Sequence, residues 1–188
     1  MNRTLVFGGS FDPPHLGHVG PPVAALQCLG FDRLLYVPAA VSPHKVDLPP
    51  VPAKHRLAML HLAIEGIPQA EVSLVEVDRE GPSFTIDTLS ALRDTIGGEM
   101  RLLIGADQAR VFFTWHRFEE IIALTEPAVM PRAGGGALEP IWQGRLLPIP
   151  PIAVSSSQVR SALSSGASLD QLVPASVAAY IKEHGLYR

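Results

Sequence analysis

The sequence has few of the features that would tie a protein to a membrane or to an oxidising compartment. It contains a single cysteine, Cys28, so no intrachain disulfide can form and a reducing compartment is favoured. Because Leu26 and Leu29 lie beside this cysteine, we expect it in the core. No apolar run approaches the eighteen or so residues of a membrane span, and the first residues lack the apolar region of a signal peptide. These absences predict a cytoplasmic protein with no membrane partner.

Charged residues are also scarce. They make up 18% of the 188 residues, and the formal net charge is −3. No run of lysine or arginine is long enough to follow a nucleic-acid backbone, so we expect no nucleic-acid partner. Apolar residues make up 47% of the chain, which is enough for a well-buried core. The length predicts a single domain over residues 1–188, in which residues 155–188 form a C-terminal helical part.

The most informative stretch reads TLVFGGSFDPPHLGH and begins with an apolar run, residues 4–7, that predicts a short buried strand. Gly8 and Gly9 then lack the Cβ atoms that would hold a ligand away from the backbone. His15 and His18 are three residues apart, so on a helical segment they share one face near its N-terminus. Such a terminus suits a phosphate. A lone Gly-Gly pair or a lone His-x-x-His is more often an ordinary loop with solvated histidines.

Two familiar sites are excluded in this stretch. No Gly-Lys-Ser or Gly-Lys-Thr closes the turn, so it is not a Walker-type P-loop. The His-Glu-x-x-His spacing of a zinc hydrolase is also lacking, and we expect no metal ligand here. Pro21 and Pro22 leave two alternatives for the following helix. Either it begins at these prolines, or the histidines form a separate turn before it.

Two later stretches are further candidates for nucleotide contacts. Gly105 and Asp107 follow a predicted strand, and ligands of an open parallel sheet bind at that edge. An aspartate there can accept hydrogen bonds from ribose hydroxyls, or it can cap the next helix. Ser156 and Ser157 are ordinary residues for a helix start, yet with Arg160 and the helix N-terminus they would form a second anion site.

Strands that alternate with helical patterns predict βαβ units and a mostly parallel sheet. The predicted strands cover residues 4–7, 33–37, 72–77, 100–104, 127–130 and 146–149. One predicted helix ends at Leu29, and another covers 53–65. A third has Ser83 or Thr85 as its N-terminal cap. A fourth covers 156–163, and the last closes the chain from Leu172 to Gly185.

Five motifs, in the same order, resemble those of the nucleotidylyltransferase superfamily. The first stretch resembles its Gly-x-Phe-Asp-Pro-x-His-x-Gly-His nucleotide site, and the Pro-Pro-His form resembles the nicotinate mononucleotide adenylyltransferases. The other four resembling segments are residues 42–45 (a Pro-Pro-His-Lys loop), 79–89 (Arg-x-Gly-x-Ser-Tyr-Thr-x-Asp-Thr-Leu), 104–117 and 154–160 (Ile-Ser-Ser-Thr-x-Ile-Arg). Phe84 stands where the pattern has tyrosine, and Ser157 where it has threonine.

The resemblance implies an α/β, Rossmann-like nucleotidylyltransferase fold with a mostly parallel central sheet flanked by helices and a short C-terminal helical extension. It implies adenylyl transfer from ATP, with Mg²⁺ bridging its phosphates, to nicotinate mononucleotide, which gives deamido-NAD and pyrophosphate in NAD biosynthesis. The implied catalytic residues are His18, His15 and Arg160. The implied ATP site consists of Gly8, Gly9, Ser10, Phe11, His15, His18, Gly105, Asp107, Ser156, Ser157 and Arg160. The implied nicotinate mononucleotide site consists of Lys45, Phe84, Thr85, Trp115 and Arg132.

Two alternatives stay open. The first is a related transferase that uses nicotinamide mononucleotide or phosphopantetheine, although Phe84, Thr85 and Trp115 argue against phosphopantetheine. The second is a non-catalytic nucleotide-binding module, against which the two intact phosphate-facing motifs argue. By itself Trp115 would be assigned to the core, because most tryptophans are largely buried. Its polar sequence neighbours leave a stacking role open.

Overall fold

The computed structural model describes residues 3–40, 50–79, 81–134, 136–151 and 153–187. Within these ranges five strands form one sheet, in which every pair of neighbours is parallel and the order is β3-β2-β1-β4-β5. The strands are β1 (Arg3–Gly9), β2 (Arg33–Pro38), β3 (Ala70–Val72), β4 (Glu99–Gly105) and β5 (Ala128–Met130). The predicted α/β fold with an interior first strand is therefore confirmed.

Eight α-helices connect or follow these strands in the described part of the chain. They are α1 (Gly20–Leu29), α2 (Ala53–Ile64), α3 (Thr85–Ile96), α4 (Ala106–Val111), α5 (Phe118–Thr125), α6 (Pro140–Gln143), α7 (Ser156–Ser165) and α8 (Ala175–His184). Two 3-10 turns, Leu16–His18 and Phe112–Thr114, precede α1 and follow α4. None of the helices in the described ranges is long and apolar enough to cross a membrane.

The apolar run of β1 is continuous because both faces of the sheet are covered. Leu5 and Phe7 point into one core cluster, which also contains Leu26 of α1. Val6, between them in sequence, points into the opposite cluster with Leu89 of α3. Successive side chains of a strand face opposite sides, so a central parallel strand must be apolar at every position.

The C-terminal helices share a third core with α2. Met59 of α2 packs with Val159 of α7 and with Val177 and Ile181 of α8, and all four side chains are buried. This core brings the end of the chain back beside the strand ends. It explains how residues near 160 and 187 reach the first motif.

Several predicted elements are corrected. β3 ends at Val72, and residues 75–78 form a turn rather than a continued strand. Leu146 makes one isolated parallel bridge to Val129, not a sixth strand. The closing helix begins at Ala175, three residues later than predicted from Leu172. Cys28 is exposed, because α1 turns Ala25 and Leu26 towards the sheet instead.

The two helix starts left uncertain by the sequence are resolved. Pro21 and Pro22 occupy the first turn of α1, where proline is tolerated, and the histidines form the separate 3-10 turn before it. α3 has Phe84 at its N-cap position and no side-chain cap. The Ser83 hydroxyl instead accepts a hydrogen bond from the Ala40 N–H at 3.2 Å.

Candidate active site

A cavity of about 880 Å³ opens at the carboxyl ends of β1 and β4. The chain leaves β1 towards β2 on one side and returns through β4 on the other, and such a switch point is where open α/β sheets bind ligands. Most of the residues predicted from the sequence line this cavity: Gly8, Gly9, Ser10, His15, His18, Phe84, Thr85, Gly105, Asp107, Trp115, Arg132, Ser156, Ser157 and Arg160. Lys45 lies outside the described residues.

His15 and His18 lie against each other at one side of the cavity. The His15 Nδ1 accepts the Gly17 N–H at 3.1 Å, and the His18 Nδ1 accepts the His15 N–H at 3.3 Å. A neutral imidazole carries a single proton, so these bonds place that proton on Nε2 of each ring. Each histidine can therefore act as an Nε2–H donor without becoming charged.

The environment of His15 keeps the ring neutral. Its side chain is 4% exposed, and burial, with a smaller contribution from the Arg132 charge, lowers the pKa of His15 from 6.5 to about 4. Gly17 is what allows the ring to lie there. A Cβ on Gly17 would be 2.9 Å from the His15 ring and 3.3 Å from the Val154 carbonyl oxygen. The glycine of this motif is therefore needed for packing around a histidine.

Phe11 is the exception among the residues predicted to bind ATP. Its side chain is 1% exposed, lies in the core and does not line the cavity. The ring packs edge-on against His18, with ring centroids 5.0 Å apart, and also against Phe7 and Tyr36. Phe11 thus supports the histidine from behind, and its ring is not available to stack on a nucleotide.

Gly8 and Gly9, the last two residues of β1, differ in their roles. A Cβ on Gly8 would meet only the Val37 carbonyl oxygen, at 3.8 Å, which is an ordinary contact. A Cβ on Gly9 would lie 3.1 Å from the Phe11 ring, so this glycine makes room for the core. The close approach of a ligand to the backbone stays a prediction for Gly8, while the packing of Phe11 accounts for Gly9.

The N-terminus of α7 is joined directly to the first motif. The Ser156 hydroxyl donates to the Pro13 carbonyl at 3.0 Å. Arg160 donates from Nη1 to the Asp12 carbonyl at 2.6 Å and from Nη2 to the Ser157 hydroxyl at 3.3 Å. The two motifs that the sequence assigned to phosphates, about 140 residues apart in the chain, thus form one wall of the cavity.

Asp107 and Arg132 form an ion pair in the same cavity. The Asp107 carboxylate accepts Arg132 Nε at 2.7 Å and Arg110 Nη1 at 2.9 Å. Asp107 does not cap α4, because that position belongs to Gly105 and no side chain caps the helix. A carboxylate can accept about four hydrogen bonds, so two arginines leave capacity for a hydroxyl.

The far end of the cavity is aromatic. Trp115 is half-buried against Phe112, with ring centroids 5.0 Å apart, and its Nε1 has no hydrogen-bond partner among the described residues. The His116 ring lies 4.7 Å from the Phe84 ring. The Phe84 N–H already donates to the Pro82 carbonyl at 3.1 Å. Among the described residues, the N–H groups without a partner at the start of α3 therefore begin with Thr85.

Two buried charged groups near the cavity were not anticipated. Glu76 is 7% exposed, lines the cavity and accepts the Thr88 hydroxyl at 2.7 Å. Arg56 is 2% exposed and donates to the carbonyls of Ser10 at 2.8 Å, Val51 at 3.1 Å and Ala40 at 3.4 Å. The available signal for Arg56 was its helical spacing, since positions 56, 59, 60 and 63 share the buried face of α2.

No group of three or more His, Cys, Asp or Glu side chains in the described ranges is close enough together to hold a metal ion. The carboxylates of the cavity, Glu76 and Asp107, are instead engaged by a hydroxyl and by two arginines. Cationic and neutral donors therefore dominate the wall formed by His15, His18 and Arg160, which is the chemistry expected around phosphates.

Known proteins resemble this chain throughout its length. The cytidylyltransferase-like family matches residues 6–162. The probable nicotinate-nucleotide adenylyltransferase of Bordetella petrii is 41% identical over the whole of both chains. That of Thermus thermophilus is 40% identical over 99% of this chain and all of the relative.

A solved structure shares the fold. Plasmodium falciparum nicotinic acid mononucleotide adenylyltransferase complexed with NaAD superposes with a TM-score of 0.81 at 18% identity, covering 100% of this chain and 98% of that one. The family match spans both phosphate-facing motifs, and the relatives extend over α8 as well. The chain therefore belongs to the cytidylyltransferase-like family and, within it, to the nicotinate-nucleotide adenylyltransferases.

Proposed function

We propose that this chain transfers the adenylyl group of ATP to nicotinate mononucleotide, forming nicotinate adenine dinucleotide (deamido-NAD) and pyrophosphate in NAD biosynthesis. One observation carries the proposal for this site: the histidine pair and the α7 N-terminus with Arg160 meet in one cavity, linked by the 2.6 Å bond from Arg160 to the Asp12 carbonyl. A triphosphate placed there is met from two sides by donors. We further propose a single domain over residues 1–188, acting on small molecules in the cytoplasm.

The reaction needs positioned donors more than a base. The phosphate of nicotinate mononucleotide has a second pKa near 6, so it is mostly dianionic at pH 7 and attacks without prior deprotonation. A bond forms from its oxygen to the α-phosphorus of ATP. The bond from that phosphorus to the bridging oxygen breaks, and the electron pair leaves with pyrophosphate. Catalysis then comes from in-line placement and from stabilising the charge that develops on the leaving group.

The Nε2–H groups of His15 and His18, Arg160 and the α7 N-terminus are the donors for that charge. Neutral imidazole donors, fixed by their Nδ1 bonds, need no reorganisation as the charge develops. The Ser157 hydroxyl accepts from Arg160 and keeps its own proton for a phosphate. Ser156 contributes its backbone N–H at the same helix start, because its hydroxyl donates to the Pro13 carbonyl. Gly8, Gly9 and Ser10, which line the cavity, complete this part of the ATP site, while Phe11 contributes by supporting His18 from behind.

The other substrate contacts follow from the remaining walls. Asp107, held by two arginines, accepts ribose hydroxyls beside Gly105. Arg132 and Lys45 meet phosphate. The pyridine ring stacks on Trp115, and its carboxylate meets Thr85 at the uncapped start of α3, next to the Phe84 ring. The positive end of a helix dipole favours a carboxylate there.

Magnesium enters as part of the substrate, Mg-ATP. Mg²⁺ prefers phosphate and water oxygens in nucleotide sites. Because Glu76 and Asp107 are already bonded to other protein groups, we expect the metal to be held by ATP itself. Its contribution is neutralisation of phosphate charge, alongside the histidines and Arg160.

A single assay tests the proposal. Protein and Mg-ATP are mixed with nicotinate mononucleotide, nicotinamide mononucleotide or phosphopantetheine in parallel, and pyrophosphate and the adenylylated product are measured. We expect rapid release with nicotinate mononucleotide. Release with one of the other acceptors alone would overturn the substrate. Tight ATP binding with no release for any acceptor would favour a non-catalytic module.

A further inference from the structure

We infer that Tyr187 is a positioning residue for adenylyl transfer, because its hydroxyl anchors Asp12 and, through Asp12, the segment that carries the phosphate-facing groups. The inference rests on the proposed function. The Tyr187 hydroxyl donates to the Asp12 Oδ1 at 2.6 Å, across 175 residues of sequence. The same carboxylate oxygen accepts the Val51 N–H at 3.3 Å.

The chain reaches this position through a well-defined helix end. α8 ends at Gly185, which has a left-handed conformation, and the Leu186 N–H donates back to the Ile181 carbonyl at 3.1 Å. Tyr187 then has φ of 63°, in the left-handed region that residues other than glycine disfavour. Such a conformation persists where surrounding contacts hold it. Two contacts hold the side chain: the ring packs against the third core, and the hydroxyl bonds to Asp12.

Asp12 connects this bond to the reactive groups. Its backbone carbonyl accepts Arg160 Nη1 at 2.6 Å, and the next carbonyl, that of Pro13, accepts the Ser156 hydroxyl at 3.0 Å. His15 follows two residues later. A shift of Asp12 therefore moves the acceptor of Arg160 and the start of the histidine turn together. Catalytic donors tolerate little displacement, since positioning supplies much of the rate.

The electrostatics favour a permanent donor at this position. Burial, reinforced by the bond to Asp12, raises the pKa of Tyr187 far above its ordinary value, so the hydroxyl keeps its proton. Arg56 and Arg160 lie near enough to interact with the tyrosine and so bring positive charge around Asp12. Without the hydroxyl, the Asp12 carboxylate loses its shortest hydrogen bond among the described residues.

A matched pair of single-atom changes tests the inference. Tyr187→Phe removes the bond to Asp12. Tyr180→Phe removes a hydroxyl of the neighbouring helix α8 that contacts His55 Nδ1 at 3.0 Å, away from the cavity. We expect Tyr187→Phe to lower kcat about 10-fold, the scale of one hydrogen bond to a charged group, with KM for nicotinate mononucleotide unchanged. Tyr180→Phe should keep its kcat, and equal kcat in the two variants would overturn the inference.

A double-mutant cycle identifies the route of the effect. If Tyr187 acts through Asp12, adding Tyr187→Phe to Asp12→Ala should cause no further loss of kcat. A full additional loss would refute the inference. Hydrogen exchange gives a readout that does not depend on transfer: the peptide covering residues 10–18 should exchange faster in Tyr187→Phe than in Tyr180→Phe. Unchanged exchange would overturn the inference even if the unaltered chain transferred no adenylyl group, a result that would count separately against the proposed function.

Discussion

The imidazole rings of His15 and His18 lie nearly face to face, with centroids 3.7 Å apart and 27° between their planes. Two protonated rings at this distance would repel each other strongly in a buried site. The low pKa of His15, about 4, removes this conflict by keeping one ring neutral. The stack therefore fits a pair in which His15 is a neutral donor and does not fit two fixed positive charges.

The first prediction concerns His18. His18→Ala removes one donor to the developing charge, so we expect kcat to fall about 10²–10³-fold while ATP binding weakens far less. The exposed His184 provides the control, because His184→Ala deletes a ring that lies outside the cavity. Near-normal turnover of His18→Ala would rule out the donor role.

The second prediction is a pH dependence of stability. Because the folded pKa of His15 is about 4 and its ordinary value is 6.5, the unfolded chain binds a proton between these values that the folded chain excludes. The free energy of unfolding should therefore rise with pH across this window, and His15 should contribute at most about 3 kcal/mol of the rise.

His15→Asn tests this dependence with the cap preserved. Asparagine can still accept the Gly17 N–H at the start of the 3-10 turn, so the local fold is kept. Urea unfolding at pH 4.5, 5.5, 6.5 and 7.5 should give a flatter profile for His15→Asn than for the unaltered chain. Identical profiles would show that burial does not hold this imidazole neutral.

The third prediction concerns the geometry of Arg160. Its guanidinium donates in two directions, to the Asp12 carbonyl and to the Ser157 hydroxyl, and a lysine ammonium does not reproduce this fork. Arg160→Lys should lower kcat/KM for ATP by about 10-fold or more despite the retained charge. Arg93→Lys, on the exposed surface of α3, is the matched control. Equal values for the two variants would contradict the role.

Part of this site could be predicted from the sequence, because it depends on local residue patterns or on the topology of the sheet. β1, β2 and β4 each contain a continuous apolar run (residues 5–7, 34–37 and 102–104), since both faces of a central parallel strand are buried. Asp107 follows the end of β4, and the ends of parallel strands meet at one edge of the sheet. Ser156 comes directly after a serine that caps α7 through local hydrogen bonds, and such a cap can be recognised in the sequence.

Other parts depend on contacts that no local pattern contains. Phe11 belongs to the motif, yet its positive φ of 48° turns the ring into the core. Val75 and Val77 resembled a strand, but they form a turn that buries Glu76 instead. The bond from Arg56 to Ser10 spans 46 residues and that from Tyr187 to Asp12 spans 175, so both emerge only once the helices are packed.

The fourth prediction concerns Arg56, whose guanidinium holds the carbonyls of Ser10, Ala40 and Val51 together. Arg56→Lys keeps the charge but lacks the fork, so both Tm and kcat should fall. Met59→Ala, one turn later in α2, should cost about 2–5 kcal/mol of stability without touching these carbonyls. If Met59→Ala lost as much kcat as Arg56→Lys, the effect of Arg56 on turnover would be explained by stability alone.

The last prediction concerns substrate preference. At the start of α3 the backbone donors are uncapped, and a carboxylate there makes charge-assisted bonds about twice as strong as those of a neutral amide. Nicotinate mononucleotide should therefore be used in preference to the nicotinamide form. Trp115 lines the same end of the cavity, and stacking on an aromatic ring contributes about 1–3 kcal/mol in comparable sites. Trp115→Ala should thus raise KM for the mononucleotide far more than KM for ATP. Phe113→Ala, which removes an exposed ring outside the cavity, should change neither. If Trp115→Ala lowered Tm and left both KM values unchanged, the role of this tryptophan would be in the core alone. Equal use of the nicotinate and nicotinamide mononucleotides by the unaltered chain would refute the carboxylate argument.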